Sequence, residues 1–167
     1  MRRQKGFSLI ELLIVVAIIL IIAAIAIPNL QRAKMSANEA SAVAGMHTIF
    51  TAEAAYYAQG WSNPGALGFS ATLQDLGNST GCNPPSITSA CQLDNVMANA
   101  ITPASAKSGY YFTYVPITTG TLNVGFSLNA DPSARGSSGQ RSFYTDQSGV
   151  VRYNAAASAT VSDTALQ

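Results

Sequence analysis

The sequence has few of the residues from which catalytic and metal-binding sites are usually built. Only 10% of its 167 residues are charged, against about 25% in an ordinary soluble domain. His47 is the single histidine, and the two cysteines, Cys82 and Cys91, form no CxxC pair. No HExxH motif and no glycine-rich phosphate loop occurs, and the eight acidic residues are scattered singly. We therefore expect no enzyme, no metal site and no cofactor.

The charge balance gives no indication of nucleic-acid binding. Nine Lys and Arg residues face eight Asp and Glu residues, whereas nucleic-acid-binding domains carry a clustered excess of basic charge. Arg2, Arg3 and Lys5 lie in the first five positions, so six basic and eight acidic side chains follow Gly6. Loss of this basic start would leave a chain with a small negative charge.

A long apolar run near the N-terminus is the most informative feature. Sixteen apolar residues extend from Leu12 to Ile27, and only Ser8 and Glu11 interrupt the run back to Phe7. As a helix rising about 1.5 Å per residue, this segment is about 30 Å long, enough to cross a bilayer core. Because the basic residues precede it, the positive-inside rule places the N-terminus in the cytoplasm.

Three interpretations compete for this segment. A secretory signal peptide would be cut after Ala26, since Ala24-Ile25-Ala26 matches an A-x-A site. A plain membrane anchor explains the length and the basic flank but gives Glu11 no role. In the third interpretation Glu11 has a partner, because a carboxylate in hydrocarbon costs about 2.5–3.5 kcal/mol. Cleavage between Gly6 and Phe7 would create such a partner, an α-amine on the same chain or on a neighbouring one.

The stretch KGFSLIELLIVVAII, followed by AAIAIPNL, resembles the N-terminus of type IV prepilins, especially type IVa, and of type II secretion pseudopilins. The resemblance covers residues 1–30. It implies cleavage after Gly6 by a prepilin peptidase and N-methylation of Phe7. It also implies that Glu11 pairs with the Phe7 amine of an adjacent subunit as a filament grows.

The helix is expected to continue beyond the apolar run. Pro28 lacks an N–H and should kink the helix there without ending it. An amphipathic pattern then continues to about Gln59, and Gly60 and Asn63-Pro64-Gly65 supply the stop. The predicted buried stripe consists of Leu30, Ala33, Ala37, Ala40, Val43, Met46, Phe50, Ala54 and Tyr57. His47 is interpreted as an ordinary helix residue.

Residues 60–109 are rich in Gly, Ser, Asn and Thr, with short helical patches at 73–76 and 93–100. Cys82 and Cys91 lie between these patches. Since this region is expected outside the cytoplasm, a disulfide between them is the default. A ring of this size contributes about 2.5–3 kcal/mol by loop entropy.

The C-terminal third is typical of an antiparallel sheet. Strands are expected at 110–115, at 122–128 with Leu122, Val124, Phe126 and Leu128 on one buried face, and at 141–145 and 150–153 around a turn. The tail after Asn154 is expected to be loosely ordered.

Several weaker signals remain open. The seven tyrosines fit packing of the sheet on the helix better than electron transfer or a sugar-binding face. Asn78-Ser79-Thr80 matches a glycosylation sequon, which is a weak signal by itself. Asp131 and Asp146 alone do not supply the six to eight oxygens of a calcium site.

These observations predict an α+β fold in which a long N-terminal helix packs on a small antiparallel β-sheet. The expected organisation is a leader at 1–6, a membrane or filament-core helix at 7–28, an amphipathic helix at 29–59, a disulfide-containing loop region at 60–109, and a sheet with its tail at 110–167.

The resemblance implies a type IV pilus subunit, held in the inner membrane as a prepilin and surrounded there by lipid. It would later be extracellular in a homopolymeric helical filament, with the prepilin peptidase and the pilus assembly platform as partners. The alternatives are a type II secretion pseudopilin and a membrane-anchored binding protein that does not polymerise.

Overall fold

A computed structural model of the chain describes residues 7–60, 68–78 and 81–166. Its first element is the helix α1, Leu9–Gln59, which continues through Pro28 as expected. The chain divides into two compact units, the first ending at Lys34 and the second beginning at Met35. Each unit is described by itself below.

The second unit contains a five-stranded antiparallel sheet in which neighbours in sequence are neighbours in space. The strands are β1 (Tyr110–Thr119), β2 (Leu122–Pro132), β3 (Ser142–Asp146), β4 (Arg152–Asn154) and β5 (Thr164–Ala165). The register pairs Tyr114 with Leu128, Leu128 with Thr145, and Phe143 with Tyr153. Between α1 and β1 lie a 3₁₀ helix at Leu73–Leu76, the short helix α2 at Asn95–Ala98 and a 3₁₀ turn at Pro103–Ser105. The predicted α+β fold, a long N-terminal helix with a small antiparallel sheet, is confirmed.

The core of the second unit lies between residues 35–59 of α1 and the sheet. The helix contributes Met46, Ile49 and Tyr56, all buried. From the sheet and from the connection before it come the buried side chains of Leu73, Leu76, Met97, Phe112, Phe126, Leu128 and Phe143. Apolar area removed from water in this cluster, at about 25 cal/mol per Å², is the main stabilising term for the unit.

The predicted buried stripe of α1 is confirmed only in part: Met46 is buried, and Val43 and Phe50 pack against the core, but other members of the stripe do not. Leu30 is 71% exposed, and Ala40, Ala54 and Tyr57 also face solvent. The buried face is instead formed by Glu39, Ala42, Gly45, Met46, Ile49, Ala52, Glu53 and Tyr56. Two carboxylates lie on this face, and alanines are common on all sides of the helix, so apolar spacing pointed to a stripe about one residue away.

Strand β2 alternates as expected only in part. Phe126 and Leu128 are buried, but Val124 is 46% exposed. The β1–β2 register shifts between Ile117 and Thr118, whose partners are Gly125 and Asn123, so Val124 is the extra residue of a β-bulge. A bulge interrupts the alternation of the two faces, which is why Val124 points away from the core.

The prediction of a loosely ordered tail was also wrong for the described residues after Asn154. Ala159 is buried, and its carbonyl accepts a hydrogen bond from the Asn129 side chain at 2.6 Å. Ser158 donates to Asp131 at 2.8 Å, and β5 pairs with β4. The tail is held by these long-range hydrogen bonds and by the buried Ala159, and its low apolar content gave no indication of that order.

Candidate functional site: the N-terminal apolar segment

The first part of α1 exposes an unusually apolar surface. The stretch from Leu9 to Leu30 carries fifteen large aliphatic side chains, each 45% exposed or more. Its most apolar 18-residue window has no buried residue, and by length and composition this part of the helix is sufficient to cross a membrane. Water is an unfavourable surrounding for such a surface. Lipid or other apolar helices are the environments that suit it.

Glu11 occupies the third position of the first helical turn. Its Oε2 accepts the backbone N–H of Ser8 at 2.9 Å, while the Leu12 N–H bonds to the Ser8 carbonyl at 3.3 Å. This is half of a capping box, in which a carboxylate at the third position satisfies an N–H that the helix itself cannot. Sequence reasoning considered only an α-amine, on the same chain or on a neighbouring one, as the partner of Glu11, and it missed this contact with the Ser8 backbone. Among the described residues, no hydrogen bond to the second carboxylate oxygen, Oε1, accompanies this contact.

Phe7 precedes the helix and is 79% exposed. Gly6 lies outside the described residues, so the position of the leader cleavage remains a prediction. Pro28 lies inside the continuous helix.

Cys82 and Cys91 form the predicted disulfide, nine residues apart in sequence. The bridged loop is docked on the 3₁₀ helix through backbone hydrogen bonds from Cys91 to Gly77 at 3.0 Å and from Ala90 to Asp75 at 2.8 Å. The disulfide therefore closes a loop between helix and sheet.

A buried ion pair in the second unit was not anticipated from the sequence. Glu39 Oε1 accepts the backbone N–H groups of Gln140 and Arg141 at 2.9 and 3.0 Å, and Oε2 accepts Arg141 Nε at 2.8 Å. The Arg141 guanidinium lies over the rings of Phe143 and Tyr153. Burial alone would raise the pKa of Glu39, but these hydrogen bonds and the guanidinium charge outweigh it and hold the pKa below its usual value. Glu39 joins α1 to the chain entering β3.

The tyrosines, His47 and Asn78, which the sequence also singled out, lie in different surroundings. The hydroxyls of Tyr56, Tyr110 and Tyr114 donate to backbone carbonyls, and burial raises the pKa of Tyr56 to about 12. His47 is exposed on α1. Among the described residues no group of three His, Cys, Asp or Glu side chains is arranged to hold a metal ion. Asn78 accepts the Gly81 N–H at 2.8 Å, while the rest of its sequon lies outside the described residues.

Comparison with known proteins assigns the N-terminal segment. Residues 1–27 match the family model described as the prokaryotic N-terminal methylation motif. The type IV major pilin protein PilA of Myxococcus xanthus is 42% identical over 57 residues, which are 34% of this chain and 26% of that protein. The type IV wide pilus major component PilA4 of Thermus thermophilus is 64% identical over 39 residues, 23% of this chain and 30% of that protein.

The matched region thus spans less than a third of the length of either relative, and no solved structure matches the chain. The match to the family model and the matches to the two pilus proteins confirm the resemblance that residues 1–30 carry. The chain carries the N-terminal methylation motif of type IV prepilins, and segments of 57 and 39 residues are similar to a type IV major pilin protein and to a type IV wide pilus major component.

Proposed function

We propose that this chain is a structural subunit of a type IV pilus. It would be inserted in the inner membrane as a prepilin, cleaved after Gly6, N-methylated on Phe7 and polymerised through residues 7–28. The observation that carries the proposal is the methylation motif at the start of a helix whose apolar side chains from Leu9 to Leu30 are exposed. The similarity to filament subunits favours a structural role over an enzymatic one.

The apolar surface supplies the physical reason for assembly. In the membrane, lipid covers these side chains. When the subunit leaves the bilayer, about twenty apolar residues would face water unless copies of the same segment cover them, and burial contributes about 1.5–3 kcal/mol for each large aliphatic side chain. A helical bundle of many copies satisfies this requirement. The partners in this proposal are therefore other copies of the chain, with the prepilin peptidase and the assembly platform acting before and during polymerisation.

Glu11 would select the register of each incoming subunit. Cleavage after Gly6 creates an α-amine on Phe7, and Oε1 of a neighbour's Glu11 is a suitable acceptor for it. Breaking a buried ion pair costs about 3–5 kcal/mol. A subunit out of register would leave both charges without partners in an apolar environment.

The structure allows the intermolecular role of Glu11 to be separated from its capping role. Glu11→Gln keeps an oxygen that accepts the Ser8 N–H but removes the charge that attracts an amine, whereas Glu11→Ala removes both. We expect both variants to accumulate as membrane-inserted protein with filament yield reduced at least tenfold, measured by shearing and immunoblotting. The neighbouring Ile10→Leu variant, which conserves volume, is the control and should assemble normally.

Normal filaments from Glu11→Gln together with loss from Glu11→Ala would show that Glu11 acts only as a helix cap. If neither variant changed the behaviour of the protein, a membrane-anchored binding protein would be favoured. A type II secretion pseudopilin remains the second candidate, since it shares the N-terminal segment. Mature protein confined to the cell envelope would favour it.

A further inference from the structure

Glu53 is a carboxylate buried in the core of the second unit. It lies on the buried face of α1 and is 0% exposed. Its Oε2 accepts the backbone N–H of Ser70 at 3.1 Å, and its Oε1 is in hydrogen-bond contact with Ser70 Oγ. Ser70 is also fully buried. Water therefore has no access to either oxygen of the carboxylate.

No cation compensates this group among the residues that the structure describes. The ion pairs in that part of the chain are Lys107–Asp94 and Arg141–Glu39. The groups that face Glu53 are Tyr56 on α1, Tyr114 on β1, Ser70, and the carboxylate of Asp75 on the 3₁₀ helix, which repels a negative charge. A buried, uncompensated carboxylate is costly when ionised. Its protonation removes that cost.

The number of hydrogen atoms available to the contacts of Ser70 Oγ also indicates that Glu53 is protonated. Ser70 Oγ contacts two acceptors, Glu53 Oε1 and the carbonyl of Thr72 at 3.0 Å, but a hydroxyl has one hydrogen. With Glu53 ionised, one of these two contacts would hold two oxygens together without a hydrogen. With Glu53 protonated, Glu53 donates to Ser70 Oγ, and Ser70 Oγ donates to Thr72. Both contacts of Ser70 Oγ then contain one hydrogen each.

We propose that Glu53 is a neutral carboxylic acid in the folded chain at neutral pH, and that its proton fastens residues 69–72 to helix α1. The same short segment is fastened to the sheet on its other side. The backbone N–H of Phe69 donates to the Asn123 carbonyl at 3.0 Å, and the Asn123 amide donates to the carbonyls of Phe69 and Ser70 at 3.1 and 3.0 Å. Tyr114 adds a hydrogen bond to the Ser70 carbonyl. Glu53 is thus the link on the helix side of a segment that joins helix to sheet.

This arrangement makes the stability of the second unit depend on pH. Burial raises the pKa of Glu53 above its ordinary value of 4.5, against the opposing effect of the hydrogen bonds from Ser70 and Tyr114. A group whose pKa is raised on folding contributes stability that is complete below its unfolded pKa and is lost as the pH rises through its folded pKa. The stabilising contribution of the helix-side link should therefore fall as the pH rises from about 4.5 through the raised pKa of folded Glu53.

Infrared spectroscopy tests the protonation state directly. The full chain in detergent micelles is compared at pH 7 with its Glu53→Gln variant, and the difference spectrum is inspected for the carbonyl stretch of a protonated carboxylic acid. We expect this band to be present in the wild-type protein and lost in the variant. Its absence from the difference spectrum at pH 7 would overturn the proposal.

Denaturation of matched variants tests the link itself. Gln at position 53 reproduces the hydrogen-bond pattern of the neutral acid, with its NH₂ group donating to Ser70 Oγ. Glu39→Gln, on the same helix face, removes an ionised partner of Arg141 and serves as the contrast. At pH 7 we expect the urea midpoint of Glu53→Gln to equal or exceed that of the wild type, while that of Glu39→Gln falls.

From pH 5 to pH 9 the wild-type midpoint should decline relative to that of Glu53→Gln. A midpoint for Glu53→Gln that falls as far as that of Glu39→Gln, or a difference that does not change with pH, would contradict the proposal.

Discussion

At the scale of single residues, three glutamates show how environment decides the role of one side-chain type. Glu11 caps the start of α1, Glu39 is an ionised partner of Arg141, and Glu53 is enclosed with no cation beside it in the described part of the chain. Because their sequence neighbourhoods are similarly apolar or alanine-rich, the sequence distinguished only Glu11. The role of Glu39 depends on Arg141, 102 residues away, and the role of Glu53 depends on Ser70, 17 residues away.

The ion pair of Glu39 predicts that the Glu→Gln change lowers stability, whereas the same change at Glu53 does not. The dependence on pH also has the opposite direction. We expect Glu39→Gln to lower the free energy of unfolding by about 1–2 kcal/mol at pH 7. This is below the value for a fully buried pair, because Arg141 is 38% exposed and its charge is partly screened. The pKa of Glu39 is lowered on folding, so its contribution is present above about pH 4.5 and is lost as the pH falls through its folded pKa.

Urea unfolding between pH 3 and pH 7 measures this contribution. The wild type and Glu39→Gln should converge in stability as the solution becomes acidic. The Asp146→Asn change serves as a control, since Asp146 contacts the Ser148 N–H and the Tyr144 side chain and forms no ion pair among the described residues. A difference between wild type and Glu39→Gln that grows toward low pH would contradict the assigned charge state.

At the scale of elements, apolar periodicity predicted the existence of helix and strands better than it predicted their faces. The end of α1 near Gln59 and the order of the first four strands follow from local patterns. The buried face of α1 does not, because Glu39 and Glu53 occupy it. The outward turn of Val124 requires a bulge that depends on pairing between strands, and the fifth strand depends on packing of the tail. Long-range contacts set each of these features.

The disulfide belongs to the same scale, because it closes one loop between helix and sheet. We expect Cys82→Ser with Cys91→Ser to reduce the free energy of unfolding by about 2.5–3 kcal/mol, the loop entropy of a ring this size. Chemical denaturation of the double variant measures the change, and wild-type protein treated with reductant should show the same loss. A loss below about 0.5 kcal/mol would mean that the hydrogen bonds docking this loop on the 3₁₀ helix hold it without the bridge.

At the scale of the whole molecule, the apolar side chains of the two units need different environments. The second unit has its own apolar core between α1 and the sheet, whereas residues 9–30 expose apolar side chains that nothing in the described chain covers. The sequence was sufficient to predict this division of roles, because an uninterrupted apolar run is a local property. It was also sufficient to identify the methylation motif, which the family comparison matches over residues 1–27. The charge states inside the second unit could be read only from the folded chain.

Mass spectrometry of filaments sheared from the cell surface tests the proposed function most directly. The measurement identifies the N-terminal peptide of the chain and its abundance in the filament fraction. We expect an abundant chain that begins at N-methylated Phe7, as cleavage after Gly6 and polymerisation require. A chain that begins at Ile27, cut after Ala26, would lack Glu11 and most of the apolar segment, and would contradict the proposal that this segment builds a filament.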